Sequence, residues 1–478
     1  MRHPVRFSVL ALLSFLALGA VLAASDVAEH HWPQWRGPRG DGVAPQGDPP
    51  TTWSETANVR YKVEIPGRGH ASPVIWNDRI YLLTAIDAEP PAAAPPAAGA
   101  PVAEAPAAGA PAAGAPAAAP PASGAPSFRE RGVAADHDLR FVVLALDRAT
   151  GKTVWERTVL KARPHEGTHT DGTWASASAI TDGERVWAFF GSRGIYCLRG
   201  SDGEPLWQRD LGDMKTRNGF GEGSSPVLAG DTLVVNWDHE AGSFIVALDA
   251  RTGAERWRAA REEPTSWSTP HVVEVDGGRQ VVVNATGKVR SYDLATGKVV
   301  WEVGGMTTNA IPTPVSANGL LFVTSGFRGN ALKAIRLAGA RGDLAGTPAV
   351  VWSHDRDTPY VPSPLLYDGV LYFLKSNTGL LSALDAATGK VHYGPARLEG
   401  IEGVYASPVG AAGRIYVAGR NGATAVLAAG PELKVLAVNR LEDGFEASPA
   451  IAGREIYLRG RRHLYALAEG APAAKPVK

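Results

Sequence analysis

Along most of the chain, apolar and polar residues alternate over runs of five to eight positions. Gly, Asp or Asn separates one run from the next. DRIYLLTA, ERVWAFFG, DTLVVNWD, GLLFVTSG, GVLYFLKS and GRIYVAGR are examples. A period of two puts every other side chain on one face, which predicts half-buried β-strands. Few segments hold a helical period for three turns. The pattern predicts an all-β protein.

The strands recur in a fixed unit. ALDRATGKTVWE at 145–156, ALDARTGAERW at 247–257, SYDLATGKVVWE at 291–302 and ALDAATGKVHY at 383–393 are variants of one phrase. Each reads as a strand, a tight turn and a second strand. Asp293 can bond the turn backbone, and Gly297 supplies a positive φ without steric cost. A second mark, a Ser or Thr usually followed by Pro, stands at Ser72, Ser178, Ser225, Thr269, Thr313, Ser363, Ser407 and Ser448. After a first gap of 106 residues the spacings are 47, 44, 44, 50, 44 and 41. A unit of this size suits four short strands, one blade of a β-propeller. The expected fold is therefore an eight-bladed propeller of four-stranded antiparallel blades over 58–470. Trp155, Trp207, Trp257 and Trp301 fall on outer strands, with Tyr393 as a later equivalent. They are expected to dock neighbouring blades, not to hold a cofactor.

The two ends of the propeller fit each other. The last unit stops after three strands, and NVRYKVEIPG at 58–67 precedes the first unit without a blade of its own. Tyr61 stands four residues before Ile65, as Trp155 stands four before Val159. Residues 58–65 are therefore expected to supply the eighth blade's outer strand, leaving no open sheet edge at the seam.

Composition adds the flanks. Residues 1–24 read as a signal peptide, with Arg2, His3 and Arg6 before the apolar run Phe7 to Leu22 and small residues after it. Cleavage would leave no transmembrane segment and a periplasmic or secreted protein. Residues 25–57 form an N-terminal arm, whose Trp32, Trp35 and Trp53 are expected to pack onto the propeller. Residues 88–126 are nearly all Ala, Pro and Gly, so an insert over 88–135 within blade 1 is expected to lack fixed structure, like the tail 471–478. Lys plus Arg number 48 and Asp plus Glu 48. That balance gives no basic field for nucleic acid. The expected state is a monomer.

These repeats, with WPQWRGPRGDG at 32–42, DGERVWAFFGSRGIYCLR at 182–199 and SWSTP at 266–270, resemble the PQQ-binding-like β-propeller repeat proteins of the quinoprotein alcohol dehydrogenase-like superfamily. They also resemble the outer-membrane assembly factor BamB, whose propeller scaffolds β-barrel insertion. The resemblance implies an eight-bladed propeller over about residues 32–468. A quinoprotein dehydrogenase would add a quinone gripped by a Trp and a disulfide of adjacent cysteines, a Ca²⁺ held by Glu, Asn and Asp, and an Asp base. Cys197 is the only cysteine. The vicinal disulfide cannot form, no c-type haem attachment is available, and PQQ is not expected as a cofactor. BamB is a lipoprotein, and no cysteine ends the leader here.

Little else points to chemistry. HEGTHTDGTW at 165–174 holds His165, Glu166, His169 and Asp171, but its Gly and Thr content reads as a polar loop. No metal site and no catalytic residue are expected. The RGD at 39–41 lies inside the family-like segment and is not read as an adhesion signal. The stronger argument is repeat geometry. Residues just before each Ser/Thr mark should rim the central funnel. Arg68, His70, Trp174, Glu222, Trp267, Asn309, Tyr360, Tyr405, Phe445 and Glu446 are the candidates. Their mix of aromatics and charges suits a small polar ligand or an extended peptide. The expected function is an exported, non-catalytic binding or scaffold module for a protein or envelope ligand. The competing expectation is a quinone-dependent oxidoreductase, or another enzyme, with its site in the funnel.

Overall fold

The computed structural model describes residues 29–88 and 132–471. The expected signal peptide, residues 89–131 of the insert and the tail from 472 lie outside the described residues. Eight blades of four antiparallel strands form a ring, one of them carrying a short fifth strand on its outer edge. Blade 1 runs Val74–Trp76, Arg79–Asp87, Leu139–Asp147 and Thr153–Ala162 from axis to rim. The innermost strands of blades 2 to 7 are Ile180–Thr181, Val227–Ala229, His271–Val275, Val315–Ala317, Leu365–Tyr367 and Val409–Ala411.

Blade 8 is completed from both ends of the chain. Ala450–Ala452, Glu455–Arg459 and His463–Ala468 supply three strands, and Val59–Glu64 pairs antiparallel with the last, Glu64 opposite His463. At the seam Arg148 of blade 1 donates to Glu455, Tyr457 and the Ala452 carbonyl of blade 8. Arg459 of blade 8 is buried and donates to the Ala71 and Leu83 carbonyls of blade 1. Burial pushes the Arg459 guanidinium down to about 9.

The repeated turn keys one blade to the next. Asp293 Oδ1 accepts from the Thr296 N–H at 2.8 Å and from its hydroxyl at 2.7 Å, and Gly297 takes φ 71°. Over that glycine lies the ring of Trp257, from the outer strand of blade 3. An added Cβ at Gly297 would stand 2.5 Å from the indole. The indole N–H donates to the Leu294 carbonyl at 2.9 Å. Trp155 repeats this on Gly203 and Gly200, and Trp207 on Gly253 and Ala250. Each large ring buries on the order of 150–250 Å².

Trp301 departs from the pattern. Blade 5 has no such turn, and Trp301 is fully buried among Leu337, Ala340 and Leu344. That segment lengthens the unit, and its Gly342–Asp343 adds a parallel strand beside Trp301 and Glu302. Tyr393 is half-buried between blades 6 and 7. Trp352, absent from the sequence expectation, docks on Gly389 and donates to Ala386. Tyr61 plays the same part on Gly151 across the seam.

The Ser/Thr marks form an inner hydrogen-bond belt. The Ser72 N–H donates to the Ser178 hydroxyl, and the relay continues through Ser225, Thr269, Thr313, Ser363 and Ser407 to Ser448, every step between 2.9 and 3.1 Å. A short hydroxyl side chain is what reaches the preceding blade's backbone there.

The N-terminal arm crosses the face where the innermost strands end. Trp32 exchanges backbone bonds with Ile75 of blade 1, Pro33 accepts from Thr181 of blade 2, and Ala44 donates to Gly410 of blade 7. Trp32 and Trp53 are buried in the core shared by the arm and blades 1, 7 and 8. Arg36 is buried and donates to the Pro364 carbonyl of blade 6 at 2.6 Å.

Candidate functional site

A chain running into the innermost strand is extended, so alternate residues face the axis. The residues two before each mark are His70, Ser176, Gly223, Trp267, Ile311, Val361, Tyr405 and Glu446. All eight line one central cavity of 380 Å³. Trp35 of the arm lines the same cavity, as do six of the eight Ser/Thr marks. The cavity therefore sits on the belt and the arm.

Six of the ten sequence candidates meet here: His70, Glu222, Trp267, Tyr360, Tyr405 and Glu446. The other four do not line it. Arg68 is exposed and its backbone pairs with Ala85. Phe445 is buried in the blade 8 core, in edge contact with Tyr465. Trp174 donates to the Glu166 carbonyl beside a smaller void. Asn309 is buried and accepts from Arg217. Their side chains stand three or four residues before a mark, where alternation or loop geometry turns them off the axis. Glu222 and Tyr360 also stand three before, yet reach the cavity from irregular loops.

The loop HEGTHTDGTW forms part of the roof. Asp171 leaves the blade 1–2 connection and reaches blade 7, where it accepts from the Tyr405 hydroxyl at 2.9 Å and from Arg420 at 2.6 Å. Arg420 donates onward to Glu446 at 3.0 Å, and Arg461 reaches the same oxygen at 2.6 Å. Gly132–Val133, inside the stretch expected to lack structure, pairs with Thr168–His169 of this loop. Sequence reasoning missed Asp171 and Arg420 as funnel residues, because only the closed ring brings blade 7 opposite this loop.

Burial and charge tune the lining. Burial pushes His70 down to about 4, so the imidazole is neutral. Burial works to raise Asp171 and Glu446, but hydrogen bonds from Tyr405 and Arg420 to the first, and from Arg461 and Arg420 to the second, hold both below the usual carboxylate range. Tyr405 is pushed up to about 12 by burial and by Asp171. One oxygen of Glu446, Oε2, is buried without a hydrogen-bond partner among the described residues. Its charge is already matched by two guanidiniums, so it is set to accept from a hydroxyl or amide N–H. Phe327 and Tyr360 stack at 4.7 Å on the wall.

Cys197 is buried between blades 2 and 3, away from the cavity, and burial pushes its thiol up to about 12. It packs as a small apolar residue.

Eight four-stranded blades, keyed by outer-strand aromatics and hollowed into a funnel floored by the N-terminal arm, define a PQQ-like repeat propeller. The chain belongs to the family described as outer membrane protein assembly factor BamB, whose model matches residues 51–235, 139–391 and 241–471. Its fold is similar to that of BamB from Moraxella catarrhalis, with TM-score 0.52 and 15% identity over 68% of this chain and 91% of that one. It is also similar to quinohemoprotein alcohol dehydrogenase from Comamonas testosteroni, with TM-score 0.57 and 11% identity over 96% and 85%. In sequence, 184 residues are 27% identical to the polyvinylalcohol dehydrogenase of Sphingopyxis sp. strain 113P3, covering 32% of this chain. That match spans 27% of the dehydrogenase's length. No helix among the described residues is long and apolar enough to cross a membrane.

Proposed function

We propose that this protein is an exported, non-catalytic propeller, periplasmic or secreted, that binds a ligand in its funnel and serves as a scaffold for a protein or envelope component. The observation that carries this reading is the 380 Å³ cavity to which all eight blades contribute the residue two before their mark. Aromatic walls, a neutral His70 and the unpartnered Glu446 Oε2 favour an extended peptide or a small polar ligand bearing hydroxyl or amide donors. Kinship with BamB supports the scaffold role. The test is capture from envelope extract, repeated with Trp267→Ala and Glu446→Gln. Loss of the captured species in both folded variants is expected, and equal capture by both overturns the reading.

The stretch shared with polyvinylalcohol dehydrogenase favours the second reading, a quinone-dependent oxidoreductase. The lining argues against it. PQQ is a tricarboxylate, whereas this cavity presents Asp171, Glu222 and Glu446. The neighbouring cation, Arg420, is already shared by two of those carboxylates. No second cysteine exists to build the vicinal disulfide. The residues present do not fit the quinone. Titration with PQQ and Ca²⁺ followed by absorbance should give no saturable change; dye reduction with an alcohol after reconstitution would establish the oxidoreductase instead.

A further inference from the structure

Beside the funnel, three side chains from two loops converge. His165 and Glu166 lie on the connection between blades 1 and 2, and Glu222 on the connection between blades 2 and 3. His165 Nε2 stands 3.9 Å from Glu166 Oε1 and 3.7 Å from Glu222 Oε1, and one ligand atom from each lies within 4.8 Å of the others. The Met214 carbonyl oxygen is 2.5 Å from the same imidazole nitrogen.

Each carboxylate is held in place from behind. Glu166 accepts from the Thr216 hydroxyl at 2.5 Å and the Thr216 N–H at 3.2 Å. Glu222 accepts from the Ser192 hydroxyl at 2.5 Å and the Ser192 N–H at 2.8 Å. Hydroxyl and amide donors behind a carboxylate fix its orientation, as outer-shell partners do for metal ligands. Gly191 leaves room for this, since an added Cβ would overlap Glu222 Oε2. A separate observation points to an occupant. A small, partly open void of 30 Å³, room for a water or an ion, has His165, Glu166, Glu222 and Ser192 among its lining residues.

We propose that His165, Glu166 and Glu222 form a binding site for a divalent transition-metal ion, Zn²⁺ by preference, with the Met214 carbonyl as fourth donor. The donor set is one imidazole, two carboxylates and a carbonyl. An imidazole nitrogen selects a borderline ion such as Zn²⁺ over Ca²⁺, which prefers an all-oxygen shell. Four ligands at ~2.0–2.2 Å around a tetrahedral ion stand about 3.3–3.5 Å apart. The imidazole–carboxylate spacings of 3.9 and 3.7 Å need to contract by a few tenths of an ångström, and the 2.5 Å approach of the Met214 carbonyl to His165 Nε2 must open by about 1 Å as the ion enters. The ion would take the Nε2 lone pair of the neutral ring, whose proton then sits on Nδ1, and would replace the present contact between Nε2 and the Met214 carbonyl. The ion ties the two interblade connections together, and through Glu222, which lines both spaces, it stiffens the funnel wall. The sequence alone took this stretch for a plain polar loop, because Glu222 lies far along the chain from His165.

The chelator-treated full chain is titrated calorimetrically with Zn²⁺, Mn²⁺ and Ca²⁺. One equivalent of Zn²⁺ is expected, with affinity at least ~10-fold lower in His165→Ala and in Glu166→Gln; neither residue lines the funnel. Trp267→Ala should leave Zn²⁺ binding unchanged, which separates this proposal from the ligand reading above. Co²⁺ loaded into the unaltered protein should show the visible bands of a tetrahedral site, a readout that needs no variant. Absence of stoichiometric Zn²⁺, equal affinity in both variants, or tighter Ca²⁺ than Zn²⁺ binding would overturn the proposal.

Discussion

Trp257 of blade 3 lies flat on Gly297 of blade 4, so near that a methyl group on the glycine would stand 2.5 Å from the indole. The glycine meets two demands at once, a φ of 71° and a surface without a side chain. Gly297→Ala is expected to cost about 2–4 kcal/mol, from left-handed strain and overpacking together. In a Trp257→Ala background the same change should cost only the backbone part, about 1–2 kcal/mol. Denaturant unfolding of the double-mutant cycle measures the difference; additive costs would deny the docking.

Ser407 joins two blades through its hydroxyl, which accepts the Ser363 N–H at 2.9 Å. Ser407→Ala leaves that buried N–H without a partner. A loss of about 1–3 kcal/mol is expected, read as a lower midpoint in denaturant, with funnel residues unmoved.

Two buried imidazoles give stability a pH dependence. Burial pushes both His70 and His271 down to about 4. In the unfolded chain they take protons near 6.5, in the native state near 4. The unfolded state therefore binds more protons in that window. Stability should be flat above it and fall on acidification from 6.5 toward 4, by up to about 1.4 kcal/mol per pH unit for each group. The groups facing them are Glu446, Arg459, Arg68 and Arg420 for His70, and Arg36 for His271. His271→Gln should remove about half the slope in unfolding curves taken from pH 7 to 4.

Asp171 closes the roof of the funnel by bonding Tyr405 and Arg420. Its carboxylate titrates below the usual range, so the contribution is whole above that range and is lost as pH falls through the lowered value. Asp171→Asn should mimic the acid form at neutral pH. Amide exchange in residues 163–174 should rise several-fold in that variant, while exchange in the strands of blade 7 stays unchanged.

Much of this architecture was legible in the chain. The Ser/Thr marks gave the blade number and the neighbourhood of the funnel, residues two to four before each mark, of which the structure turns all those two before onto the cavity. Tyr61 and the truncated last unit gave the shared blade. What could not be read came from contacts across the ring. The hydroxyl belt, the Asp171 bridge to Arg420 and the meeting of His165 with Glu222 join residues that no local pattern links. Trp352 was missed because the turn phrase that flags the other docking residues is absent from blade 5. Phe445, three residues before its mark, turns into the blade 8 core, and Arg68, four before, pairs through its backbone with Ala85 and points to solvent, so position in the repeat alone did not place either side chain.

The strand Val59–Glu64 has its partner, His463–Ala468, at the far end of the polypeptide. During synthesis the opening segment must therefore wait until nearly everything else has emerged. Until then Val59–Glu64 lacks the strand it pairs with, although the arm before it can already dock on blades 1 and 2. Closing the ring is thus a handshake between segments some four hundred residues apart, and losing His463–Ala468 would strip Val59–Glu64 of its only strand partner among the described residues.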